Sequence, residues 1–257
     1  MKLDKRNTPG ASVTELDPGC WNLSIPAGKA GQYRWAQLDD YQHRLRKDFL
    51  WQAPLKFSLT ARTSGLNLAG TWGFGLWNDP FSANLGLGGM ARRLPALPNA
   101  AWFFQASEPN HLAFNDDHPV RGMLAATFAA PLIPPALLAL TYPVMPLLAW
   151  PAAARIARNL LSHQVGESAV SLEVDVTAWH RYELEWQSDR IVFRIDEQEC
   201  AVTRTSPRGR LGLVIWMDNQ FAAFPPDGRL RFGTLANSAQ WLEVKDMQIT
   251  ESTPAVR

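Results

Sequence analysis

The sequence predicts an all-β domain of packed antiparallel strands, and three observations carry that prediction. The first is residues 179–200, WHRYELEWQSDRIVFRIDEQEC. Tyr182, Leu184 and Trp186 alternate there with Arg181, Glu183 and Glu185, and Ile191, Phe193 and Ile195 alternate with Val192, Arg194 and Asp196. A period of two gives each strand one apolar and one mostly polar face, and Ser188-Asp189 supplies the turn of a half-buried hairpin. The second is recurrence of that alternation along the chain, between turn signals. The third is size: 257 residues, 46% hydrophobic, can bury a large core in one domain.

Composition narrows the function. A net charge of +1 implies no broad attraction to nucleic acid or anionic lipid. Tryptophan is abundant, 11 against 4 tyrosines. Such rings fill a wide core, and indole faces also stack on sugar C–H faces. The polar N-terminus lacks the apolar run of a signal peptide. Together with only two cysteines, Cys20 and Cys200, this leads us to expect reduced thiols and a cytoplasmic protein.

Residues 1–18 read as a flexible arm, 19–252 as a single domain and 253–257 as a tail. Strand-like segments start at Trp21. Residues 41–49 are charged and read as an edge strand or a turn of helix. Residues 55–63 (LKFSLTART) and 71–77 (TWGFGLW) are strands. Gly73 and Gly75 clear one face of the latter, for a ligand, a neighbouring backbone or a bend. Residues 78–89 form a turn-rich loop whose LGLGG is not a phosphate cradle, because no Lys-Ser/Thr follows. Residues 100–106 (AAWFFQA), 171–176 (SLEVDV), 209–217 (GRLGLVIWM) and 241–250 (WLEVKDMQIT) are further strands, and 230–235 a strand or loop.

Residues 123–154 contain no charged side chain. Their length suggests a membrane span, but Pro131, Pro134, Pro135, Pro143, Pro146 and Pro151 interrupt it too often for a helix that must satisfy its own backbone. The segment reads as an apolar, partly helical insertion at about 123–163. Three roles fit: a lid over the domain, a membrane-surface contact, or a homodimer interface. Residues 152–163 suit an amphipathic helix, with Arg155 and Arg158 on one side and Ile156 and Leu160 on the other.

The run from Val176 to Trp186, VTAWHRYELEW, followed by IVFRID from Ile191 to Asp196, resembles the strand pair W/F-H-x-Y-x-x-E-W and I-x-F/W-x-x-D-G of concanavalin A-like lectin/glucanase domains. It most resembles glycoside hydrolase family 16, the laminarinase-like enzymes. The resemblance implies a jelly-roll sandwich of two curved antiparallel sheets and covers most of residues 20–252 outside the insertion. Family 16 enzymes carry E-x-D-x-(x)-E on one strand, so that the carboxylates project from one face into the cleft. Chain order puts that strand at AAWFFQAS, which has none. Glu108 follows without a partner at the right spacing. Glu173-Val174-Asp175 echoes the motif but lies too late in the chain and lacks the third carboxylate.

These readings predict a non-hydrolytic binder of a saccharide or glycoconjugate in an aromatic-lined concave cleft. The candidate ligand-binding residues are Trp72, Trp77, Asn78, Asp79, Trp102, Phe103, Gln105, Trp216, Asp218 and Asn219. Alternation puts Trp216 and Asp218 together, and we assign their face to the cleft, with Trp102 or Phe103 nearby and Trp77, Asn78 and Asp79 at the rim. Two alternatives stand: binding of an apolar ligand or membrane surface through 123–154, and an enzyme using Glu108, Asp116, Asp117 or Asp218 as acid/base groups. Asn115, Asp116, Asp117 and His118 form a polar cluster that reads as turn material rather than a cation site. No cofactor, metal or nucleic-acid partner is implied.

Overall fold

The computed structural model describes residues 2–80 and 93–251. The strands in chain order are β1 (Asp4–Asn7), β2 (Ser12–Asp17), β3 (Cys20–Ile25), β4 (Trp35–Asp39), β5 (Leu55–Thr63), β6 (Thr71–Trp77), β7 (Ala100–Ala106) and β8 (Gly122–Ala129). Helices α1 (Pro135–Ala139) and α2 (Pro151–Gln164) follow, separated by a 3-10 segment at Tyr142–Ala149. The remaining strands are β9 (Gly166–Ser171), β10 (His180–Trp186), β11 (Ile191–Ile195), β12 (Gln198–Thr203), β13 (Gly212–Asp218), β14 (Gln220–Ala223), β15 (Arg231–Thr234) and β16 (Gln240–Glu251).

They form two seven-stranded sheets and a small hairpin. The first sheet runs β1-β4-β13-β6-β7-β8-β9, the second β12-β11-β10-β5-β16-β3-β2, and β14 pairs with β15. Tyr182 pairs with Ile195, Leu184 with Phe193 and Trp186 with Ile191 across β10 and β11, so the apolar faces read from alternation coincide. Glu183 and Glu185 lie on the other face, each 3.0 Å from Arg194.

The main core lies between the sheets. Trp72, Phe74 and Leu76 of β6, Ala101 and Phe103 of β7, and Leu213, Ile215 and Met217 of β13 enter it from the first sheet. Phe57, Leu59, Tyr182, Leu184, Trp186 and Phe193 enter from the second. Phe103 is its pivot: 1% exposed, with its ring 5.0 Å from Tyr182, 5.2 Å from Phe193 and 5.8 Å from Phe74. Phe103→Ala is expected to destabilise the protein by about 3–5 kcal/mol, since three packed rings cannot collapse into the space left. The shift of the urea midpoint measures it.

Several boundaries differ from the sequence reading. Residues 1–18 are not a free arm: β1 and β2 are edge strands of the two sheets. Their residues are mostly polar because an edge strand buries little; Val13 of β2 alone reaches the core. Residues 123–129 belong to β8, so the insertion begins at Ala130; small residues (Ala125, Ala126) let β8 pack on both faces without charge. The strand expected at 171–176 lies earlier, at β9, which pairs with β8 from Gly166 to Ser171. Residues 41–49 hold one 3-10 turn, Arg46–Asp48. Residues 230–235 contain β15. Most of the LGLGG loop and the 253–257 tail lie outside the described residues.

Cys20 and Cys200 are free thiols. Their strands, β3 and β12, are five places apart in the second sheet. At ~4.8 Å per strand that is roughly 24 Å, far beyond disulfide reach.

Candidate functional site

The side chains of the first sheet that do not enter the main core form its outer face, and there the aromatic residues gather. Alternation sends Trp102 and Phe104 outward from β7, between the inward Ala101 and Phe103. On β13, Trp216 and Asp218 point outward while Ile215 and Met217 point in. On β4, Gln37 and Asp39 alternate with the inward Ala36 and Leu38.

Trp216 sits at the centre. Its ring lies parallel to Trp77 (5° between planes, centroids 6.3 Å apart), 5.4 Å from Trp102 and 5.8 Å from Phe104. Gly73 makes this possible: an added Cβ would stand 2.8 Å from Trp216 Cη2 and 2.5 Å from the Phe103 carbonyl oxygen. The strand glycine therefore serves a neighbouring ring and backbone. Trp216, Trp77 and Trp35 keep part of their surface open to solvent, whereas Trp102 and Phe104 are each 6% exposed.

A hydrogen-bond chain holds this centre. Trp216 Nε1 donates to Thr71 Oγ1 at 3.1 Å, and Thr71 Oγ1 donates to Asp218 Oδ1 at 3.0 Å. The backbone N–H groups of Thr71 (3.2 Å) and Gln220 (3.0 Å) donate to the same oxygen. All three donors are neutral. Burial, only partly offset by these bonds, raises the Asp218 carboxyl to about 7. Burial, and next the Asp218 charge, push the Tyr33 phenol well above its usual range. Tyr33 stacks on Trp35 at 6.3 Å, and the Arg6 guanidinium lies 4.9 Å over the Trp35 ring.

The second outer-face carboxylate is Asp39, which accepts from Gln37 Nε2 at 2.8 Å and pairs with Arg6 at 3.5 Å. Burial raises its carboxyl too. Asp39 is in register with Val214, four residues from Asp218 along β13. At ~3.4 Å per residue along the strand and ~4.8 Å between strands, the two lie roughly 14 Å apart. Retaining glycosidases need carboxyls about 5–5.5 Å apart and inverting ones about 6.5–9.5 Å, so this pair fits neither geometry. The outward positions of β7, where the family 16 motif was sought, hold Ala100, Trp102, Phe104 and Ala106.

The other predicted site residues go elsewhere. Trp72 and Phe103 lie in the core between the sheets, and Gln105, which pairs with Trp72 across β6 and β7, faces the same way. Counting every residue of an aromatic strand toward the cleft ignored the alternation, which sends every second one inward. Asn78 is spent on structure, donating to the Leu97 carbonyl and accepting from Asn99 N. Asp79 is ion-paired with Arg93 at 2.5 Å. Asn219 is fully buried, donating to the Gln32 and Leu235 carbonyls and accepting from Arg34 N at 2.8 Å. Glu108 is exposed and paired with Arg121. Asp116 is paired with Arg158, and Asp117 N caps back to Asn115 Oδ1 at 3.2 Å. Asp116 and Asp117 border a separate cavity of about 570 Å³, with Arg155, Arg158 and His163 of α2.

Sequence reading passed over Thr71, Tyr33, Trp35 and Gln37. Trp35-x-Gln37-x-Asp39 was available as a period-two signal. Nothing local marks Thr71 as the link between Trp216 and Asp218.

No family model matches the chain, and no curated protein matches it. Solved structures do. The legume lectin-like domain from Entamoeba histolytica overlays with a TM-score of 0.51 at 9% identity, covering 98% of this chain and 90% of that one. An endo-beta-1,4-glucuronan lyase from the fungus Trichoderma reesei overlays with a TM-score of 0.51 at 11% identity, over 97% and 90%. The fold is a concanavalin A-like sandwich. At these identities the concanavalin A-like overlay establishes architecture, and any activity has to be argued from this chain's own outer face.

Proposed function

We propose that the protein binds a neutral oligosaccharide, without hydrolysing it, on the outer face of its first sheet. The observation that carries this reading is the Trp216–Thr71–Asp218 chain. It sets a partly open indole face beside a carboxyl on one strand. A sugar ring presents the matching surfaces: C–H groups for the indole and equatorial hydroxyls for the carboxyl oxygen. Asp218 is held by neutral donors, so in its ionised form it favours hydroxyl donors and repels a uronate. The solved lectin-like and lyase relatives support a saccharide ligand in general; the neutral class comes from Asp218.

The absence of hydrolysis is inferred from the outward residues of β7 and the wide Asp39–Asp218 separation. Titration of tryptophan fluorescence with neutral gluco-oligosaccharides and with oligouronates tests the reading. The expected result is a saturable change with the neutral series only. A saturable change with oligouronates alone would reverse the assignment, and silence with both would reject it. Incubation with the bound oligosaccharide is expected to release no reducing ends.

A further inference from the structure

The insertion presents its apolar side to solvent. In α2 the side that packs on the domain is the one with Ala154 and Arg158, both buried, where Arg158 donates to the Phe114 carbonyl and the Asp116 carboxylate. Ile156 and Leu160 on the other side are 64% and 62% exposed. This inverts the usual orientation of a surface helix, whose apolar stripe faces the core. Leu137, Leu140, Val144 and Trp150 extend the exposed apolar surface across α1 and the 3-10 segment. Tyr142 is also exposed.

Charge around this patch is mostly positive. From residue 118 to residue 166 there is no Asp or Glu. Arg155 is exposed on α2. The turn at Gly228 packs against Pro151 and Arg155, bringing the exposed Arg229 alongside. Leu132 packs against Gly209, between the exposed Arg208 and Arg210. Three acids border this rim: Asp227, whose carboxylate accepts from Arg229 N, Asp116, which is paired with the buried Arg158, and Asp117.

We propose that residues 130–164 dock the protein onto an anionic lipid surface, lying in the interface rather than crossing it. Among the described residues no helix is long and apolar enough to cross a membrane. Exposed Leu, Ile, Trp and Tyr beside arginines are what such a surface takes up: apolar side chains enter the acyl boundary, indole and phenol rings settle at headgroup depth, and guanidinium groups meet lipid phosphates. A second copy of the chain is the weaker occupant, because a two-fold interface through this patch would bring two arginine rims together. The net charge of the whole chain hides this local field.

Co-sedimentation of the full chain with phosphatidylcholine vesicles, and with vesicles containing phosphatidylserine, tests the proposal. The expected result is binding to the phosphatidylserine vesicles that weakens as salt is raised. The double variant L140D/W150D, at two exposed positions, is expected to lower partitioning by at least about tenfold, and R155E/R229E by a similar factor. Far-UV circular dichroism should match the parent in both. Parent protein that stays in the supernatant with both vesicle types overturns the proposal, as do variants that bind like the parent. A concentration-dependent dimer that L140D/W150D abolishes, without vesicle binding, would assign the patch to self-association instead.

Discussion

Trp216→Ala is expected to lower the affinity for a neutral oligosaccharide by roughly thirtyfold, about 2 kcal/mol. Trp216 stands at the centre of the outer face, within 6.3 Å of the rings of Trp77, Trp102 and Phe104. Removing it takes away the stacking surface and releases Thr71 Oγ1 from its indole donor. Calorimetric titration measures the affinity. Trp216→Phe separates stacking from the hydrogen bond: it keeps a ring but no N–H, and should recover part of the loss. The inter-sheet core does not include Trp216, so the two-sheet circular dichroism signature should persist in both variants.

Asp218 is expected to give both stability and binding a pH dependence between about 4 and 7. Its carboxyl is raised to about 7 in the folded protein, while an unfolded Asp titrates near ~3.9. Below pH ~4 the group is protonated in both states and burial carries no ionic penalty. As pH rises toward 7 the unfolded chain has released the proton and the folded one still holds it, so stability falls. Above about 7 the difference is constant, at most about 4 kcal/mol at ~1.36 kcal/mol per pK unit. Asp218→Asn removes this contribution, so its unfolding midpoint should exceed the parent's increasingly from pH 4 to about pH 7 and by a constant margin above that. Asp39, Asp40, Asp79 and Glu167, also raised by burial, act in the same direction, and Asp196, held low by its bonds to His180 and Arg181 N against burial, acts oppositely; these contributions are common to parent and variant. Binding should run the other way from stability. Ionised Asp218 is the better acceptor for a sugar hydroxyl, so affinity should rise through pH 7 in the parent and stay flat in Asp218→Asn.

Much of the fold was legible in the sequence, because alternation is a local signal. Tyr182, Leu184 and Trp186 enter the core as a period of two requires, and the assignment of Trp216 and Asp218 to one outward face follows from Ile215 and Met217 facing inward. Other features depend on distant partners and left little local trace. Edge strands β1 and β2 carry few apolar residues, Val13 alone reaching the core, and pairing with β4 and β3 makes them strands. Residues 123–129 read as part of a long apolar run, although β7 and β9 flank them on either side. The exposed orientation of α2 reverses what an amphipathic pattern implies, because Arg158 finds the Phe114 carbonyl and Asp116 in a loop more than forty residues earlier. Site residues divide the same way. Trp72, Phe103 and Gln105 have the chemistry of a sugar platform and the wrong parity. Asn78, Asp79 and Asn219 have suitable side chains already engaged by the fold.

The outer face is tested most directly by the indole N–H resonances of the eleven tryptophans in a ¹⁵N correlation spectrum during titration with a neutral oligosaccharide, with Trp216 assigned through Trp216→Phe. The Trp216 signal, with Trp77 or Trp35, should move saturably, while Trp179 and Trp21 of the second sheet's region stay in place. Saturable binding that leaves Trp216, Trp77 and Trp35 unmoved, as expected of a ligand seated in the polar cavity beside α2, would contradict the outer-face site.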